Sequence, residues 1–188
     1  IAVCCLSVTL CGFQPVMAGQ VVLSGDSNLG NAIDGSAASS GGYVDPNNAK
    51  FFTNLLGMGA TVLIHQENEN PSHNEGTSAI NAHYNSLSGE TSTLNRSDSE
   101  ITPATLSGVD LFICVMPKNY FSASELTALS DFLNGSGTIF FLGDVDGPYF
   151  NDYFVNTALA SLGSSMRLGK PSSEFGFVTT TNVDAHPL

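Results

Sequence analysis

Apolar and polar positions along the chain fall into blocks that read alternately as strand and helix. The short apolar run "QVVLSGD" (20–26) predicts a strand closed by Gly-Asp, and the Gly, Ser and Asn content of residues 27–42 predicts a loop. In "NNAKFFTNLLGMG", Asn residues at the start and Phe51, Phe52, Leu55 and Leu56 at helical spacing predict a helix that Gly57 and Gly59 stop. "ATVLIHQ" predicts the second strand. The polar stretch "ENENPSHNEGTS" reads as a solvated acidic loop, followed by a weak helix over Ile80, Tyr84 and Leu87. "DLFICVM" (110–116) predicts the third strand.

The strongest helix signal is "SASELTALSDFLNG". Ser122 with Glu125 three residues on forms a capping box, Leu126, Leu129 and Leu133 share one face, and Gly135 ends the helix. "GTIFFLGDVDGPYF" then predicts a strand over residues 138–142, apolar at successive positions and therefore covered on both faces, as parallel strands usually are. A helix over Phe154, Val155, Ala158, Leu159 and Leu162 should stop at Gly163, with a shorter strand near "SSMRLG". Such alternation predicts an α/β fold: a three-layer αβα sandwich around a mostly parallel sheet.

Composition narrows the classes of partner. Against seventeen acidic residues stand only five basic ones, giving a net charge of −12 with no Lys/Arg cluster, so neither nucleic acid nor an anionic membrane surface finds the basic face it requires. Residues 1–18 differ from the rest: an uncharged apolar run, Pro15 and the small-residue pattern ending at Ala18 read as the remnant of a secretory signal peptide, with a first buried strand as the other reading. On the first reading the single domain spans 19–188 and is exported. Cys4, Cys5 and Cys11 then belong to the signal, and Cys114 alone remains; it forms no internal disulfide and reads as a small buried hydrophobe.

The blocks "GVDLFICVMPKNYFSASELTALSDFLNGSGTIFFLGD", "NTALASLGSSMRLG" and "AHPL" resemble the class I glutamine amidotransferase-like fold. More narrowly they are similar to flavodoxin-like domains of exported bacterial proteins, some of which carry a C-terminal PEP-CTERM sorting signal. The resemblance covers most of 20–188 and implies a flavodoxin/amidotransferase-like fold that continues beyond Leu188. It also implies where a thiol nucleophile would stand, at a Gly-x-Cys-x-Gly turn with a later His-x-Glu pair. Here "LGDVDG" puts Asp144 near that place, and His186 is followed by Pro187, so the amidotransferase mechanism is not expected.

Chemistry is left to the strand ends, where open α/β sheets place their ligands. Asp26, Glu67, Asp144 and Asp146 follow three predicted strands and form a candidate ligand set for a glycan or another small polar molecule. Asp144 and Asp146 are also candidate Ca²⁺ or Mg²⁺ ligands, or else turn and cap residues. Flavin and nucleotide phosphates are disfavoured beside these carboxylates. Ser27 in "SGDSN", with Asp184 and His186, resembles a GDS-type esterase, although the Asp-to-His spacing and the oxyanion motif of that family are missing. His65, Glu67, Glu69, His73 and Glu75 offer a histidine metal site, weighed against the solvated loop. Tyr43, Tyr120, Tyr149, Phe150 and Tyr153 read as rim and packing residues, Tyr149 and Phe150 being placed to stack on a sugar beside Asp146. The expected function is an exported, non-catalytic binding or surface module, with the esterase and a structural part of a larger envelope protein as alternatives.

Overall fold

The computed structural model describes residues 19–26, 28–35, 44–67, 71–143 and 151–169. Five strands, β1 (Gln20–Ser24), β2 (Thr61–Gln66), β3 (Thr91–Asn95), β4 (Leu111–Val115) and β5 (Thr138–Leu142), form one sheet in the order β1-β5-β4-β2-β3. Every pairing is parallel. The helices are α1 (Asn28–Asn31), α2 (Pro46–Leu56), α3 (Pro71–Ser86), α4 (Ala123–Asn134) and α5 (Asn151–Ser161).

Side-chain alternation along the strands builds two cores. Val62, Ile64, Leu111, Ile113, Phe140 and Leu142 meet Phe52, Leu55, Ile80 and Tyr84 of α2 and α3, with Leu29 of α1 at the margin. On the opposite face Leu63, Phe112, Cys114, Ile139 and Phe141 meet Ala128 and Leu129 of α4 and Val155, Ala158 and Leu159 of α5. The result is the predicted αβα sandwich. β4 and the last four residues of β5 are buried throughout, as their unbroken apolar runs require.

Local signals explain the best-formed ends. Ser122 and Glu125 make the predicted capping box: the Glu125 amide donates to Ser122 Oγ at 3.2 Å and the Ser122 amide to Glu125 Oε2 at 2.8 Å. Glu125 Oε1 also accepts from the buried Ile101 amide at 3.1 Å, tying the β3–β4 connection to α4. For α2 the cap is Asp45, whose side chain accepts from the Asn47 amide at 2.9 Å, with Pro46 in the first turn; the Asn residues expected to cap lie inside the helix. At the end of α4, Ser136 takes a left-handed φ of 74°, and the Gly137 amide returns to Phe132 O at 2.9 Å, a Schellman ending with Ser where Gly is usual.

Four sequence expectations give way. The stretch expected as a solvated loop from Pro71 onward is the first half of α3: Pro71 suits a first turn, and Gly76 lets α1 approach so closely that a Cβ there would overlap Asn31 Oδ1. β3, "TSTLN", was not anticipated because its residues are polar; it is an edge strand with alternating exposure. Its outer edge is blunted by Asn85 of α3, whose amide pairs with both the N–H and the C=O of Ser92 at 2.9 and 3.0 Å. Residues 164–169 form no strand; Asn156 of α5 clasps the backbone of Leu168 through two hydrogen bonds instead. The first turn of the expected loop 27–42 is the short helix α1.

Candidate functional site

Strand order and helix placement decide where the sheet can open. After β2 the chain turns to the face that carries α3, and after the adjacent β4 to the face that carries α4. After β1 it turns to the face of α1 and α2, and after the adjacent β5 to that of α5. Where neighbouring strands diverge in this way, a crevice forms outside their carboxyl ends. Two such places, β2/β4 and β1/β5, adjoin the candidate residues.

The β2/β4 crevice is filled by the protein itself. Glu67, the residue after β2, reaches across so that its Oε2 accepts the Lys118 amide at 2.9 Å, and the Asn119 amide donates to the same carboxylate. Its Oε1 lies 3.5 Å from His65 Nε2, with the two side chains 13 % and 2 % exposed. Burial would push the Glu67 carboxyl up, but the His65 imidazole and the two amides outweigh it and hold the carboxyl below its ordinary 4.5. The loop it grips begins at Met116, which takes a left-handed φ of 47° while its amide continues the β4–β5 pairing to Leu142 O at 2.8 Å.

His65, Gln66 and Glu67 have the His-x-Glu spacing, and Cys114 stands directly opposite His65 in the β2–β4 register. His65, Glu67 and Cys114 nevertheless form no nucleophilic site. Cys114 is wholly buried among Phe112, Leu129 and Phe141, and burial, reinforced by Glu67 and Glu125, pushes its thiol well above the ordinary range. Gln66 points to the other face, where its amide donates to Asn74 Oδ1 at 2.9 Å and accepts from Thr77 Oγ1 at 2.6 Å. Arg96, just past β3, closes this network with bonds of 2.7 Å to Asn74 O and 2.6 Å to Ser78 Oγ. The network docks α3 on the carboxyl ends of β2 and β3.

At the β1/β5 end the described residues leave little room beside Gly143. A Cβ on Gly143 would lie 2.6 Å from both Asp152 Oδ1 and Leu168 Cδ1, so a buried carboxylate of α5 and the side chain clasped by Asn156 crowd the end of β5. Asp152 was not singled out in the sequence; its place two residues into a helix that follows Gly-Asp is the signal that was available.

Of the predicted ligand set, Asp26 and Glu67 are described and stand apart. Asp26 is exposed beyond β1, and β1 is separated from β2 by β5 and β4, three strand spacings or about 14 Å. Asp144 and Asp146 lie outside the described residues, as do Ser27, Asp184 and His186 of the esterase reading, and Glu69 of the histidine cluster. His73 and Glu75 belong to the first turns of α3 rather than to a loop. Among the described residues no group of three His, Cys, Asp or Glu side chains is placed to hold a metal ion, and no helix is long and apolar enough to cross a membrane.

What the carboxyl edge does present is aromatic. Tyr120, from the loop gripped by Glu67, and Tyr153, in the first turn of α5, are 55 % and 58 % exposed and meet edge to face at a centroid distance of 5.6 Å. Phe154 supports Tyr120 from below at 4.8 Å and 79°. Hydrogen bonding of the Tyr120 O–H to Tyr153, ahead of slight desolvation, holds the proton and raises the phenol of Tyr120 above its ordinary 10.0. The sequence placed both tyrosines on the rim, but nothing in it paired them. Compared with known proteins, the chain matches no family model, no curated protein and no solved structure.

Proposed function

We propose that this chain is a non-catalytic binding module of an exported protein, related to the amidotransferase-like superfamily without its thiol chemistry, and that it holds a neutral glycan at the carboxyl edge of the sheet. The observation that carries the reading is the exposed Tyr120–Tyr153 pair, two large aromatic side chains from separate elements kept in water at the edge where α/β sheets bind ligands. A tyrosine offers an apolar ring face to the C–H side of a sugar and a hydroxyl to its polar rim. The net charge of −12 disfavours an anionic ligand, which leaves neutral saccharides as the class best suited to the pair. Among the described residues, Glu67, Asp152 and Leu168 stand in the two crevices, and the tyrosine pair lies on the rim beside them.

The all-parallel sheet between two helical layers supports the kinship, and the sealed Cys114 supports the loss of chemistry. The test is a titration of the chain with β-1,4-linked glucose and N-acetylglucosamine tetrasaccharides, followed by tyrosine-resolved NMR. Binding of either sugar should shift the ring signals of Tyr120 and Tyr153 and fall at least tenfold in Tyr120→Ala and in Tyr153→Ala. Binding that ignores both substitutions, or no binding of either sugar, would overturn the reading.

A further inference from the structure

The loop that carries Tyr120 is held from three sides. Its first amide, Met116, is bonded to Leu142 O at 2.8 Å. Its last residues are fixed by Phe121, which packs edge to face on Phe141 at 6.1 Å, and by the Ser122 capping box. Between these anchors, the amides of Lys118 and Asn119 are the ones bound by Glu67, so the residue immediately after them, Tyr120, takes its position from a carboxylate on another strand. We propose that Glu67 is a latch that sets Tyr120 against Tyr153, and that the ligand affinity of this edge falls when the latch takes up a proton. The ligand half of this inference rests on the function proposed above.

The charged and titratable groups around the latch fix the sign. From β2, His65 faces Glu67 at 3.5 Å. From β4, Cys114 lies under it, its thiol kept protonated by burial and so without charge. On the loop itself, the Lys118 ammonium stands 4.0 Å from Asp98, which follows β3. Protonating His65 strengthens its attraction to the carboxylate, whereas protonating Glu67 removes the negative charge, weakens the bonds to the amides to those of a neutral acceptor and ends that attraction. Loss of the latch in acid is therefore an event of Glu67. Because its carboxyl is held below 4.5, the latch stays closed at neutral and mildly acidic pH and opens only below that value.

Glu67→Gln tests the latch at a pH where the rest of the protein is unchanged. The readout without ligand is the edge-to-face contact of the Tyr120 and Tyr153 rings, followed through the Tyr120 phenol, which the neighbouring Tyr153 raises above 10.0. In ¹³C-tyrosine NMR the variant should titrate Tyr120 closer to 10.0, while the Phe121 and α4 signals stay in place. Titration of Tyr120 as in the wild type, with its ring still against Tyr153, would overturn the inference. With whichever tetrasaccharide binds, Glu67→Gln should bind at least tenfold more weakly at pH 7 and show no acid limb, whereas the wild type should weaken only below about pH 4.5. Equal affinity of the two at pH 7, or wild-type affinity unchanged in acid with the fold intact, also overturns it. Should neither sugar bind the wild type, the glycan reading fails and takes the affinity half with it, and the phenol titration alone decides the latch. If Glu67→Gln does not fold, Glu67→Asp, one methylene shorter, carries the same expectations.

Discussion

The two ends of the β2–β4 pair are fastened by the same device in opposite directions. At the amino end Asp110, before β4, accepts the amides of Ala60 and Thr61 at 2.7 and 3.0 Å and so holds the start of β2. At the carboxyl end Glu67, after β2, accepts the amides of Lys118 and Asn119 and so holds the chain beyond β4. Asp110 is exposed, and water can replace it. Glu67 is 13 % exposed with a buried imidazole at its side, and the elements around it turn to opposite faces of the sheet. The amino end is thus a fastening in solvent, whereas the carboxyl end is a fastening inside the opening where this fold class places ligands. A carboxylate on two amides is stabilising in either place, but only in the second does it also decide the position of an exposed aromatic.

The sharpest way to break this comparison is to remove each carboxylate in turn. Glu67→Ala should cost about 2 kcal/mol in urea unfolding, since charge-assisted bonds are lost and a largely buried histidine loses its partner. A loss indistinguishable from that of Asp110→Ala would mean that the two ends are equivalent. Next in size is the acid dependence. A carboxyl held below 4.5 in the folded state contributes stability that is present above that value and is lost as pH falls through the lower, folded value. The stability difference between wild type and Glu67→Gln should therefore be constant from pH 7 to about 5 and shrink below about 4.5, measured by urea unfolding at each pH. A difference that instead shrinks between pH 7 and 5 would show that the dependence does not come from Glu67. The smallest effect belongs to Asp110→Ala, about 1 kcal/mol or less, because its exposed amides regain water.

The legible part of the fold is the part whose side chains are selected by burial. β4 and β5 are apolar without interruption because both of their faces are covered, and α4 carries its cap, apolar face and stop as local signals. The misread elements lack such signals. β3 is polar because it forms the edge of the sheet and is blunted by Asn85, so its strand character comes from pairing with β2. The first half of α3 has too little apolar periodicity to read as a helix; it is docked by the buried Gln66–Thr77–Asn74 network and Arg96, and by the close approach of α1 at Gly76. For 164–169 a strand was expected, but side-chain amides of Asn156 satisfy the backbone in place of a neighbouring strand.

The candidate site divides in the same way. That the strand ends would carry carboxylates, and that Tyr120 and Tyr153 would sit at the rim, follows from composition and from where each predicted strand stops. Hydrophobic patterning by itself determined the αβα class, the two-faced burial of the central strands and the sealing of Cys114, since each depends on residue type and period along the chain. The order of the strands depends on which of them pair, and pairing is invisible to local pattern. Only the tertiary structure decided that β1 lies three places from β2, which separates Asp26 from Glu67. It alone turned Glu67 from a prospective ligand into the clamp of the β4–α4 loop and brought Tyr120 against Tyr153 across thirty-three residues of sequence.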